Sequence, residues 1–265
     1  MNSSVAQAVE QRLVQVPAGT VTLDGNLTLP EYAQAIVLFA HGSGSSRHSP
    51  RNRYVARVLN EAKLATLLID LLTLHEEVID TRTAHLRFDI DLLAERLVDA
   101  TDWLTQFPDT KHLPIGYFGA STGAAAALAA AAVRPDVVGA VVSRGGRPDL
   151  AGSALPRVRA PTLLIVGGDD RQVIELNRAA IAQLRCEKQL AIVPGATHLF
   201  EGALDEVARL ACGWFQRHLN PGGVTRCGER SAQSNMNAIF GMLMRASAAA
   251  RYKAACDRVR SFLCD

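Results

Sequence analysis

The sequence predicts an α/β protein built on a doubly wound, mostly parallel sheet. Short uninterrupted apolar runs recur along most of the chain, as strands buried on both faces require. Between them lie longer segments whose apolar residues return every three or four positions, the helical period. The opening segment instead alternates apolar and polar residues, which marks a half-buried antiparallel hairpin ahead of the parallel part.

Taken in order, the hairpin spans Arg12–Val16 and Val21–Leu29 around Pro17-Ala18-Gly19. Continuous runs then predict strands at Ala35–Ala40, Ala65–Leu72, Ile115–Phe118, Val137–Val142, Thr162–Val166 and Gln189–Val193. Helical patterns fall between and after them at Asn52–Ala62, His85–Gln106, Thr122–Val133, Val173–Leu184 and Leu204–Leu219. Only about a dozen and a half residues, Ser143 to Ala160, separate two successive strands, too few for a large inserted domain. No large cap is therefore expected. Asn220-Pro221-Gly222-Gly223 stops the last helix and divides a catalytic domain, 1–219, from a tail, 220–265.

The tail differs in character from what precedes it. It carries seven Arg or Lys against three Asp or Glu, a net +4 in a chain whose total is +2. A final helical pattern covers 236–263, with Tyr252, Ala255, Val259 and Phe262 on one stripe. Docking on the domain and homo-oligomerisation are both open readings of that stripe, as is a segment with no role.

Composition excludes several classes. The chain has 265 residues, 48% apolar and 20% charged, as an ordinary globular core requires. A net charge of +2 is too weak to argue for nucleic acid. The amino end, MNSSVAQAVEQRLVQ, lacks the basic start and apolar stretch of a secretory signal, and no run reaches membrane-spanning length. A cytoplasmic protein without stable membrane insertion is expected. The five cysteines show no ligand spacing, so neither a metal nor an organic cofactor is expected.

Chemistry concentrates in "IGYFGASTGAAAALAA", residues 115–130. A buried strand ends at Phe118 and a helix begins at Thr122, so the chain turns sharply at Ser121. Gly119 and Gly123, two residues to either side, let strand and helix pass closely. The strained residue then stands out of the fold at a helix N-terminus, where the dipole favours a developing anion. That is the setting of a serine nucleophile.

A serine needs a base, and the base needs an orienting carboxylate. Among seven histidines, His198 in "VPGATHLFEG" follows a late strand, beyond the C-terminal sheet edge where open α/β sheets place their sites. "PTLLIVGGDDRQVIELN" supplies the acid after another strand: Asp170 is favoured and Asp169 is the alternative. Either also suits a helix N-cap, and two adjacent carboxylates suggest one of each role. The oxyanion requires two backbone donors. Thr122 is one, and Ser43 (or next Gly44) in "HGSGSSRHSPRN" is the other, with His41 supporting that loop. Glu76, Glu77, His85 and Arg87 either line the pocket or form a solvated face.

With Ser121, Asp170 and His198 in that chain order and HGSG upstream, residues 10–219 resemble the α/β-hydrolase fold. "LLIDLLTLHEE", "HLRFDIDLLAERL" and "LLIVGGDDRQVIELN" are similar to the small lidless dienelactone-hydrolase-like branch. True dienelactone hydrolases carry a cysteine nucleophile; the serine here points to a serine carboxylesterase. The resemblance implies two-step hydrolysis of compact, short-chain esters through an acyl-enzyme. Lactone hydrolysis, acyl transfer and a non-catalytic binding role on the same scaffold remain the alternatives.

Overall fold

The computed structural model describes residues 10–219. β1 (Glu10–Ala18) and β2 (Val21–Leu29) form the opening hairpin, antiparallel from Glu10↔Leu29 to Ala18↔Val21 across a Gly19-Thr20 turn. Six further strands follow: β3 (Ala35–Ala40), β4 (Leu64–Ile69), β5 (Ile115–Ala120), β6 (Val138–Arg144), β7 (Thr162–Gly167) and β8 (Lys188–Val193). They make one sheet in the order β1-β2-β4-β3-β5-β6-β7-β8. β2 pairs antiparallel with β4, and every later pairing is parallel.

The helices are α1 (Pro50–Glu61), α2 (Leu74–Thr83), α3 (Ile90–Gln106), α4 (Thr122–Val133), α5 (Arg171–Gln183) and α6 (Leu204–Leu219). α3, α4 and α5 contribute to the apolar cluster on one face of the sheet, α1 and α6 to the cluster on the other. Strand β3 shows why its run is uninterrupted. Ile36, Leu38 and Ala40 enter the first cluster, while Ala35, Val37 and Phe39 enter the second. Burying a Val, Leu or Ile side chain in this way contributes about 1.5–3 kcal/mol each.

α4 is buried all round, from Thr122 to Ala131. Alanine suits it twice over: it is the best helix former, and its small side chain lets the helix lie close against the strand before it. At its start the two glycines are obligatory. A Cβ on Gly119 would come 2.4 Å from Ala124 Cα, and one on Gly123 would come 2.3 Å from the Ala40 carbonyl oxygen.

The structure departs from the pattern in three places. β8 is an edge strand and is largely exposed up to Ile192, so its apolar run is not buried on both faces. The segment read as one helix from His85 starts as a helix only at Ile90, after a 3-10 turn at Leu86–Phe88. Ahead of it lies α2, which the apolar spacing did not reveal because Asp80 is its one buried residue. Its signal is instead a capping box: Thr73 Oγ1 accepts from the Glu76 amide and Glu76 Oε2 accepts from the Thr73 amide. Between β6 and β7 the chain makes 3-10 turns over Pro148–Arg157 and carries no cap domain. The tail, 220–265, and the boundary drawn before it lie outside the described residues.

Candidate active site

Ser121 sits on the turn between β5 and α4 with φ 51° and ψ −122°. A positive φ at a residue with a side chain costs about 1–3 kcal/mol and persists only where surroundings enforce it. Here they do: the Ser121 amide donates to the Arg144 carbonyl at 3.2 Å, and its own carbonyl accepts from Arg147 at 3.0 Å. Its hydroxyl caps no amide of α4, so it is not committed to holding the helix.

The loop after β3 lies against this residue. A Cβ on Gly42 would meet Ser121 Cβ at 2.9 Å. His41 fixes the loop from below. Its Nε2 accepts from the Leu71 amide at 3.0 Å, which leaves the proton on Nδ1 to reach the Gly42 carbonyl at 3.0 Å. Burial holds its pKa below the ordinary histidine value, against the Gly42 carbonyl and Asp70, which pull the other way. A neutral, doubly bonded His41 is a brace, in line with its expected supporting role.

The Ser43 amide does not face open space. It donates to Thr122 Oγ1 at 2.8 Å, tying the loop to the first residue of α4. The two residues expected to supply oxyanion donors are thus adjacent, with one amide engaged by the other's hydroxyl.

His198 Nδ1 stands 2.7 Å from Asp170 Oδ2. The geometry puts a proton on Nδ1 and leaves Nε2 unprotonated, the tautomer that can accept from a hydroxyl. Asp170 is well covered, with 16% of its side chain exposed. It occupies the N-cap position of α5, yet its side chain makes no capping bond. Asp169 is exposed, and its amide donates to the Ala196 carbonyl at 3.0 Å. Neither carboxylate therefore caps the helix, and the expected division into one acid and one cap does not occur.

A cavity of about 490 Å³ opens between the 42–49 loop and α2. Ser43 and Thr122, the apolar Leu71 and Leu93, and the charged Glu77 and Arg87 line it, whereas Ser121, Asp170 and His198 do not. Of the four polar residues left open between pocket and solvent, Glu77 and Arg87 line the cavity, Glu76 pairs with Arg96 at 2.7 Å, and His85 is exposed. Asp80, also in the wall, holds Arg87 at 2.5 Å. The sequence pattern did not mark Asp80 or Leu71 as lining residues: Asp80 lies in α2, which the pattern did not resolve, and Leu71 falls in the apolar run Ala65–Leu72, whose strand in fact ends at Ile69.

A family model described as "Dienelactone hydrolase family" matches residues 75–219. The crystal structure of a dienelactone hydrolase from Anabaena variabilis is 66% identical, with a TM-score of 0.79, over 80% of this chain and 99% of that one. A serine hydrolase without a lid from Xanthomonas campestris is 19% identical over 80% of this chain and 97% of its own, with a TM-score of 0.64, a likeness of fold. A Mycobacterium tuberculosis protein named "Putative phosphoribosyl transferase" is 62% identical over 208 residues, 78% of this chain and 46% of that protein. The chain spans about half the length of the curated relatives it matches.

Proposed function

Because the chain belongs to the dienelactone hydrolase family, we propose that it is a serine hydrolase of compact carboxylic esters. The observation that carries this reading is the 2.7 Å contact between His198 Nδ1 and Asp170 Oδ2, which leaves Nε2 to accept a proton, although no hydrogen bond joins it to Ser121 Oγ in this structure. Ser121 Oγ attacks the ester carbonyl and passes its proton to His198 Nε2. Asp170 holds the imidazole and stabilises the imidazolium that results. The Thr122 amide receives the oxyanion, and the Ser43 amide, which rests on Thr122 Oγ1, turns from that hydroxyl to become the second donor. Losing one such donor typically costs about a hundredfold or more in rate. His198 then protonates the leaving alcohol, and a water activated by the same nitrogen releases the acid from Ser121.

The absence of a cap domain between β6 and β7 among the described residues supports small acyl groups. A second reading, opening of a lactone by the same residues, is favoured by the 66% identity to a dienelactone hydrolase. The phosphoribosyl transferase name belongs to proteins of which this chain matches under half, and the reading for the matched part rests on the hydrolase site. All residues given a role lie before the tail, which we take to be dispensable for the chemical step.

An activity panel tests the proposal: p-nitrophenyl esters of increasing acyl length and simple lactones, run on the full chain and on Ser121→Ala. Short esters turned over by the first and not the second are expected. Equal rates for both proteins would reject Ser121 as the nucleophile.

A further inference from the structure

A buried guanidinium group, that of Arg144, and a half-buried one, that of Arg51, lie beside the candidate site, and neither is paired with an acid. Arg144 ends β6 on the sheet face shared with Ala140 and Val142, and is 6% exposed. Its Nε has no hydrogen-bond partner, and its guanidinium carbon lies 5.8 Å from the centre of the Phe200 ring. Arg51 lies in the first turn of α1, on the inward stripe that continues through Val55 and Leu59, and its Nε is likewise buried without a partner. Val55, Leu59, Ala140, Val142 and Phe200 pack in one cluster. The stripe of α1 and the face of β6 therefore bring both arginines to the same end of it.

The contrast with the other covered arginines is sharp. Arg47 pairs with Asp70, Arg87 with Asp80 and Arg96 with Glu76. Among the described residues neither Arg51 nor Arg144 has an ion pair or a side-chain hydrogen bond. Burial lowers the pKa of Arg144 to about 10, and the charge of Arg51 adds to the effect. The first turn of α1 holds no acidic residue, and its N-cap is the neutral Ser49, whose Oγ accepts from the Asn52 amide, so no negative charge offsets the positive dipole end. Keeping Arg144 out of water beside a second cation and without a counter-charge is unfavourable unless an anion completes the set.

We propose that Arg51 and Arg144 form a binding site for a small oxyanion, a phosphate or carboxylate group, next to the nucleophile. Their planar forks match the oxygen spacing of such groups, and the N-terminus of α1 adds to the attraction. The site adjoins the chemistry: the Arg144 carbonyl takes the Ser121 amide, and a Cβ on Gly145, the next residue, would lie 3.2 Å from the His198 carbonyl. The oxyanion is either a free anion or the charged end of a substrate. Only the latter source rests on the hydrolase reading.

The test has two arms, both on the full chain. In the first, inorganic phosphate is titrated in a buffer otherwise free of oxyanions, with calorimetry and thermal unfolding as readouts. Phosphate should bind and raise the melting temperature of the wild type, and do neither for Arg144→Met or Arg51→Met. Without phosphate, Arg144→Met should unfold at a higher temperature than the wild type, since methionine fills similar space with no charge to desolvate. In the second arm, p-nitrophenyl esters of matched length, with and without a terminal carboxylate, are compared by kcat/KM. A preference for the charged ester that falls about tenfold in Arg51→Met identifies the substrate as the source. Phosphate binding lost in the variants with no change in that ratio identifies a free anion. Arg51→Met, at the less buried position, keeps both arms open if Arg144→Met does not fold, and total loss of ester turnover leaves the phosphate arm standing. If neither phosphate binding nor the ester ratio depends on these arginines, the site is refuted.

Discussion

The Ser43 amide donates to Thr122 Oγ1 at 2.8 Å, so the loop after β3 is tied directly to the first residue of α4. The bond joins the two residues proposed as oxyanion donors and sets where the Ser43 amide lies before substrate arrives. A neutral hydrogen bond of this kind is worth about 1 kcal/mol net. Thr122→Ser should therefore keep the esterase rate, while Thr122→Val should lower kcat about fivefold to tenfold with little change in KM. Steady-state kinetics on p-nitrophenyl acetate decide. A faster valine variant would mean that the hydroxyl competes with the oxyanion rather than aligning its donor.

Ser121 stands in strained backbone with its hydroxyl free of capping duty. A fluorophosphonate probe should add to Ser121, located by mass spectrometry of the digested protein, and Ser121→Ala should not label. Adducts at another serine would remove it from the nucleophile's place.

Asp170 reaches His198 and Asp169 does not. Asp170→Asn turns an acceptor into a donor toward Nδ1 and favours the wrong tautomer. Turnover should fall by about a thousandfold or more for Asp170→Asn and by less than about threefold for Asp169→Asn. Comparable losses in both would contradict the assignment.

His41 gives a pH signature. Its folded-state pKa lies below the ordinary 6.5, so the unfolded chain binds its proton first as pH falls. Its contribution is complete above the ordinary value and is lost on acidification toward the folded value. His218, whose pKa burial also lowers, acts in the same sense. Denaturant unfolding between about pH 7 and pH 5 should show stability falling, with a shallower slope for His41→Gln. An unchanged slope would show that His41 is not held neutral.

α2 is fastened by polar contacts rather than packing. Glu76 closes its capping box through Oε2 and pairs with Arg96 through Oε1, each at 2.7 Å. Glu76→Ala should speed amide exchange across Leu74–Thr83 and raise KM for esters that fill the cavity, leaving kcat within about twofold. Slow exchange in the variant would show that other contacts hold the helix.

Strand and helix order was legible because both sheet faces are covered, which forces uninterrupted apolar runs in β3, β4, β5, β6 and β7. The same logic misread β8, an apolar run on a half-open edge. It also passed over α2, whose stability lies in end caps and ion pairs that carry no apolar period. Spacing favoured Asp170 but kept Asp169 open, since both follow the same strand and precede the same helix; it is Asp170 that lies 2.7 Å from His198.

By itself the sequence determined the backbone around Ser121. Gly-x-Ser-x-Gly between an apolar run and an alanine run admits one tight turn, because any larger residue at 119 or 123 would collide with the backbone passing it. Tertiary structure alone decided which distant residues pair. His198 and Asp170 are 28 residues apart, Ser43 and Thr122 are 79 apart, and Arg51 and Arg144 come from a helix and a strand on separate parts of the chain. Local sequence dictates dihedral angles and the face a residue takes. Distance between such residues is set by strand order and by the packing of helices on the sheet, which depend on the whole core at once.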